Sequence, residues 1–149
     1  MQEVESFVSG RVYFVDEPFE SLLIPLVSCR VSAGFPSPAE DYIETAIDLN
    51  RELIRHPSAT FFVRASGDSM IEAGIMTNTT LVVDRMVETK SGDVVIARIG
   101  SEMCVKELFI DDDGKVLLLP KNDNYQPIEI TEEMEFEIWG KVIVSINHH

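Results

Sequence analysis

Basic side chains are scarce in this sequence. Only 12 lysines and arginines stand against 26 aspartates and glutamates, a formal net charge of -14. Nucleic-acid binding rests on cations that displace counterions from phosphates, and no cluster of that kind occurs, so direct sequence-specific DNA binding is excluded and a protein partner is expected. Long apolar runs are missing too. The longest, such as 116–119 and 142–144, fall far short of the ~20 residues that cross a bilayer, so no membrane association is expected. The N-terminus Met1-Gln2-Glu3-Val4-Glu5 lacks a basic stretch leading into an apolar segment and does not read as a secretory signal; the expected compartment is the cytoplasm. Cys29 and Cys104 are the only two cysteines. They offer neither a metal-ligand spacing nor a disulfide framework, and both are expected as free thiols. Histidine is nearly absent: apart from the terminal His148-His149 there is only His56. Its Arg55-His56-Pro57 setting reads as a solvated cap at a helix end, which argues against a Ser-His-Asp triad. The acidic clusters, Asp111-Asp112-Asp113 and Glu132-Glu133 with Glu135 and Glu137, lack the alternating ligand pattern of a calcium loop and read as solvated faces. Neither metal nor cofactor is expected.

What is present fits one folded, soluble domain. With 149 residues, 45% of them hydrophobic and 26% charged, the chain can bury a core without a second domain. Residues 1–33 carry short apolar bursts broken by Pro18 and Pro25 and read as an extended arm. In Ala33-Gly34-Phe35-Pro36-Ser37-Pro38, glycine permits unusual backbone angles and each proline keeps its predecessor out of helical geometry, so an accessible connector is expected. Ser37, Pro38 and Glu40 then supply an N-cap, a first-turn proline and a capping box, predicting a short helix with Ile43, Ala46 and Ile47 on one face. Asp48 can cap a second short helix through Leu49, Leu53 and Ile54, stopped by Pro57. Beyond that the pattern changes to strands, predicted over 60–65, 80–84, 93–99, 103–110, 115–119 and 135–146. Asp112-Asp113-Gly114 signals a hairpin, because both residue types tolerate positive φ. The expected class is mainly β and antiparallel.

Two residues stand out chemically. Ser69 lies in Ala65-Ser66-Gly67-Asp68-Ser69-Met70-Ile71, just after a predicted strand, where a tight turn exposes a hydroxyl and aims backbone N–H groups at one point. The same Gly-Asp-Ser stretch also serves as an ordinary turn. Lys106 shares a strand face with Cys104, Leu108 and Ile110, since alternate residues point the same way. One account is an edge-strand lysine that keeps its ammonium in water. The other is a desolvated, neutral amine able to deprotonate a serine.

The motifs that follow one another along the chain are similar to those of a known family. They are Ala33-Gly34-Phe35-Pro36-Ser37-Pro38-Ala39-Glu40-Asp41-Tyr42, Ile47-Asp48-Leu49-Asn50, His56-Pro57-Ser58-Ala59-Thr60, Ser66-Gly67-Asp68-Ser69-Met70-Ile71, Gly92-Asp93-Val94-Val95-Ile96-Ala97 and Val105-Lys106. In this order they resemble the self-cleaving S24-type domain shared by LexA-type SOS repressors and UmuD-type polymerase accessory proteins, the UmuD type more closely. The resemblance implies a LexA C-terminal-like twisted antiparallel β-domain with short N-terminal helices and an extended N-terminal arm. It implies a Ser69–Lys106 dyad, an oxyanion hole from the backbone N–H groups of Asp68 and Ser69, and a cleavage site at Ala33-Gly34. UmuD-like proteins often carry Cys-Gly at that bond; the Ala-Gly here is the LexA-like form. Cleavage would separate a regulatory arm, 1–33, from a peptidase-like β-domain, 34–149. The implied setting is the SOS response: stimulation by a RecA–single-stranded DNA filament, a homodimer, and a UmuC-type Y-family polymerase that the shortened form joins in translesion synthesis. A non-cleaving interaction module and a LexA-like repressor without its DNA-binding domain are the alternatives. The latter sits poorly with the 33 residues before the bond, which hold few basic side chains and no convincing helix pair.

Overall fold

The computed structural model describes residues 2–7, 10–14, 20–27, 31–36 and 44–149. The chain divides into two compact units, Met1–Glu17 with Ile54–His149, and Pro18–Leu53.

The larger unit is built on a seven-stranded antiparallel sheet. Its strands are β5 (Thr60–Arg64), β6 (Thr80–Asp84), β7 (Val94–Ile99), β8 (Glu102–Ile110), β9 (Val116–Leu119), β10 (Ile128–Glu129) and β11 (Phe136–Ile146), the first four strands being β1 (Gln2–Phe7), β2 (Gly10–Phe14), β3 (Leu23–Val27) and β4 (Glu44–Asp48). Their order across the sheet is β10-β9-β8-β7-β11-β6-β5. The expected mainly β, antiparallel class is what the structure shows, with strand ends within a residue or so of those read from the turns. Alternation explains the packing. On β7, Ile96 is buried with Phe61, Met70, Ile75, Leu81 and Val83, whereas Val95 and Ala97 are buried with Leu108 and Leu118. Successive side chains of one strand thus feed two clusters, as a strand covered on both faces requires.

A bulge lets β11 serve both. Its pairing with β7 shifts between Ile138 and Gly140, so Phe136 and Ile138 pack on one cluster while Trp139 and Val142 pack on the other. Gly140 is required by space, since a Cβ there would lie 2.8 Å from Val83 Cγ1 and 3.0 Å from the Asp84 carbonyl oxygen.

Where it is described, the N-terminal stretch read as an extended arm over 1–33 carries paired strands. β1 (Gln2–Phe7) and β2 (Gly10–Phe14) pair antiparallel. In the smaller unit, β3 (Leu23–Val27) pairs antiparallel with β4 (Glu44–Asp48), which leads into α1 (Leu49–Leu53). This corrects the helix expected around Ile43, Ala46 and Ile47. Ala46 and Ile47 lie in β4, opposite Pro25 and Ile24; strand pairing with a partner remote in sequence overrides the local helical spacing. The Ser37 cap, the capping box and Ile43 lie outside the described residues. Asp48 does cap the next helix, its Oδ1 accepting the Asn50 N–H at 3.1 Å. No helix among the described residues is long and apolar enough to cross a membrane.

Candidate active site

The segment between β5 and β6 carries Ser69. Gly67, at φ 86, turns the chain sharply in the left-handed region. Its N–H donates to Thr77 Oγ1 at 3.0 Å, and that hydroxyl donates back to the Gly67 carbonyl at 3.2 Å. Met70, 1% exposed, and Ile75 anchor the segment in the cluster that holds Ile96, against which Val94 and Val105 pack. This anchoring folds the loop over β7 and β8. Sheet order places β8 four positions from β5, or roughly 19 Å at ordinary strand spacing, so a hydroxyl on this loop reaches β8 only because the loop runs back over the sheet.

Lys106 stands on β8, between β7 and β9, opposite Val95. β8 is an internal strand of the sheet, although its pairing with β9 begins at Glu107, so Lys106 itself pairs with β7 alone. Its neighbours on that face, Cys104 and Leu108, belong to the cluster around Val95. The half-buried Nζ donates to Ser69 Oγ at 2.6 Å and to its neighbour's carbonyl, Val105 O, at 3.2 Å. Two residues 37 apart in sequence thus meet as a hydroxyl and an amine within proton-transfer range. Cys104, a free thiol, stands two residues away. Burial pushes its thiol above the ordinary value, with Lys106 pulling the other way, so it is held in the unreactive form. Cys29 lies outside the described residues.

The carbonyl of Asp68 accepts from Ile71 N at 3.1 Å and from Asn122 Nδ2 at 3.0 Å. That of Ser69 accepts from Lys121 N at 2.8 Å. Among the described residues, the backbone N–H groups of Asp68, Ser69 and Met70 have no acceptor. Free donors beside a hydroxyl paired with an amine are the raw material of an oxyanion hole. Ala33 and Gly34 lie in the smaller unit, in an exposed bend where Gly34 N donates to Ser32 Oγ at 3.2 Å. Their flanking residues Val31 and Phe35 are 91% and 93% exposed.

His56 departs from the sequence expectation. It is no solvated cap: its Nδ1 lies 2.6 Å from Oδ2 of Asp84, a fully buried carboxylate whose Oδ1 accepts Met86 N at 2.8 Å. Asp84 and Thr60 are register partners at one end of the β5–β6 pair, and the loop with Ser69 leaves from the other, at Arg64 and Thr80. The single internal histidine is thus held by a structural partner. Sequence reading also missed 121–125, whose Lys121, Asn122 and Tyr125 all bond to the Ser69 loop. No motif or periodicity singles that stretch out, because its part lies in what it touches. No group of three or more potential metal ligands occurs among the described residues.

The chain matches the family described as Peptidase S24-like over residues 25–143. It is 45% identical over 131 residues to Protein SamA of Salmonella typhimurium strain LT2, covering 88% of this chain and 89% of that one. To Protein MucA of Escherichia coli it is 40% identical over 127 residues, covering 85% and 86%. A LexA repressor of Hahella chejuensis is 41% identical over 107 residues, which is 72% of this chain but 52% of the repressor.

Proposed function

Because this chain belongs to the Peptidase S24-like family, we propose that it is a serine endopeptidase acting on itself, which cuts its Ala33-Gly34 bond with Ser69 as nucleophile and Lys106 as general base. The observation that carries this reading is the 2.6 Å contact between Lys106 Nζ and Ser69 Oγ. In the neutral form the amine takes the hydroxyl proton as Oγ attacks the Ala33 carbonyl carbon. The carbonyl oxygen becomes an oxyanion, met by the N–H groups of Asp68 and Ser69. As the tetrahedral centre collapses, the Lys106 ammonium returns its proton to the Gly34 nitrogen and the C–N bond breaks. An ester joins Ser69 to Ala33. Water, deprotonated by Lys106, then attacks the ester carbonyl, the Lys106 ammonium returns that proton to Ser69 Oγ as the ester bond breaks, and residues 1–33 are freed, leaving 149 − 33 = 116 residues.

Nucleophile and scissile bond belong to the same protein, so no substrate has to be captured and conformation alone can gate the reaction. A RecA–single-stranded DNA filament would stimulate cleavage by favouring the conformation in which the connector meets Ser69. The role we assign is in the SOS response: a homodimer whose shortened form becomes the accessory subunit of a UmuC-type Y-family polymerase. The resemblance of the ordered motifs supports this setting, and the charge of -14 supports a protein partner over DNA. The test is incubation with RecA, an ATP analogue and single-stranded DNA, followed by N-terminal sequencing. The expected product begins at Gly34; an intact chain, or a product beginning elsewhere, contradicts the assignment.

A further inference from the structure

The turn after β9 has no part in the proton transfers above, yet it is bonded to the Ser69 loop and to Glu107, the neighbour of Lys106. It is locally self-sufficient. Asn122 Oδ1 accepts Asn124 N at 3.0 Å, and Tyr125 N donates to Asn122 O at 3.1 Å. From this frame Lys121 N donates to Ser69 O at 2.8 Å, Asn122 Nδ2 to Asp68 O at 3.0 Å, and Tyr125 OH to Asp68 Oδ1 at 2.5 Å. Glu72 N returns a bond to Lys121 O at 3.0 Å. The Lys121 ammonium meets Glu107 Oε2 at 2.8 Å, on the residue next to Lys106.

The geometry of the peptide bond gives these contacts a consequence. The Asp68 carbonyl and the Ser69 N–H belong to one planar trans unit and point in opposite directions. Whatever fixes the carbonyl fixes the N–H. Asn122 supplies the side-chain bond to that carbonyl, and Tyr125 holds the Asp68 side chain, so the Asp68–Ser69 plane cannot swing freely. By the same argument, Lys121 N fixes the plane that carries the Met70 N–H. Oxyanion donors work by being aimed before charge develops.

We propose that Asn122 and Tyr125 are positioning residues for the oxyanion hole, acting through the Asp68–Ser69 peptide plane. The inference rests on Ser69 being the nucleophile, as argued above. Neither side chain takes a proton in the steps proposed above. Loss of Asn122 therefore lowers the rate without changing which amine titrates, whereas a general loosening of the fold lowers stability and rate together.

The test uses the full chain at alkaline pH, with wild type, Asn122→Ala and Tyr125→Phe compared for self-cleavage rate against pH and for thermal midpoint. For Asn122→Ala the plateau rate falls about tenfold or more, as expected for a misplaced reacting group. The pH midpoint does not move, and the thermal midpoint stays within about 2 °C of wild type. Tyr125→Phe, which keeps the ring, shows a smaller loss of the same form. Asn122→Ala cleaving within about twofold of wild type, or losing rate only alongside a matching fall in thermal midpoint, overturns the proposal. A wild-type chain that gives no Ser69-dependent product instead refutes the dyad beneath it. A separate reading uses no cleavage at all. The hydrogen bond to Asp68, with the negative charge of that carboxylate, raises the Tyr125 phenol above its ordinary value. In Asp68→Asn its ionisation shifts to lower pH; an unmoved titration contradicts the part assigned to Tyr125.

Discussion

At the residue scale, two lysines make opposite use of their charge. As the proposed general base, Lys106 must lose a proton before it can accept one from Ser69, so unstimulated cleavage is expected to rise with pH. Arginine at the same position keeps a cation but stays protonated throughout this range. Lys106→Arg is expected to reduce the cleavage rate at alkaline pH by about 10³-fold or more, measured by loss of full-length chain on a gel, while the protein remains folded by circular dichroism. Lys141 needs its charge. Its Nζ lies 2.8 Å from Oδ1 of Asp93, whose Oδ2 also accepts Lys90 N at 3.0 Å. The Lys141 hydrogen bond, foremost among the causes, holds the Asp93 carboxyl below the ordinary value of 3.8. A group whose folded pKa is depressed stabilises the fold above its unfolded pKa, and that contribution is lost as pH falls through the folded one. Urea midpoints should therefore show Asp93→Asn less stable than wild type at neutral pH, with the gap narrowing as pH falls below 3.8.

At the element scale, the bulged strand β11 is the most constrained piece. A methyl group at Gly140 would press on Val83 and on the Asp84 backbone, and Asp84 is already committed to His56 and Met86. Gly140→Ala is expected to cost about 1–3 kcal/mol, the range for overpacking a filled site, read from denaturant unfolding. Legibility in the sequence also divides by element. The strands were readable because alternation and turn residues such as Asp112-Asp113-Gly114 act locally, and Asp48 was readable as a cap for the same reason. The strand β4 was not. Its Ala46 and Ile47 fall at helical spacing and take extended geometry by pairing with β3, some twenty residues earlier. His56 misled for a related reason: its partner Asp84 is 28 residues away and fully buried. By local pattern Ser69 and Lys106 were each only an oddity, and the resemblance of the ordered motifs was what paired them. Their meeting depends on a loop crossing the sheet, which no local pattern encodes. The turn of Asn122 and Tyr125 was invisible as part of the site because its meaning lies wholly in what it touches.

At the scale of the whole molecule, the proposed reaction happens once in the life of each chain. The proposed nucleophile, Ser69, lies in the larger unit, and the bond proposed to be cut, Ala33-Gly34, lies in the smaller. An exposed connector, with Val31 and Phe35 in solvent, leaves apolar side chains available for burial when the bond is bound. Control then lies in how often the connector occupies the site, and a partner that changes this frequency controls the reaction without supplying chemistry. The acidic surface fits such a partner-controlled protein better than a reader of DNA. The central claim is that one bond is cut by one pair of side chains. Its most direct test is intact-mass measurement of the full chain held at alkaline pH without any partner, with Ser69→Ala and Lys106→Ala alongside. Wild type is expected to yield two species, residues 1–33 and 34–149, and both variants are expected to stay whole. A wild-type chain that stays whole, or a variant that yields the same two masses at the wild-type rate, would contradict it.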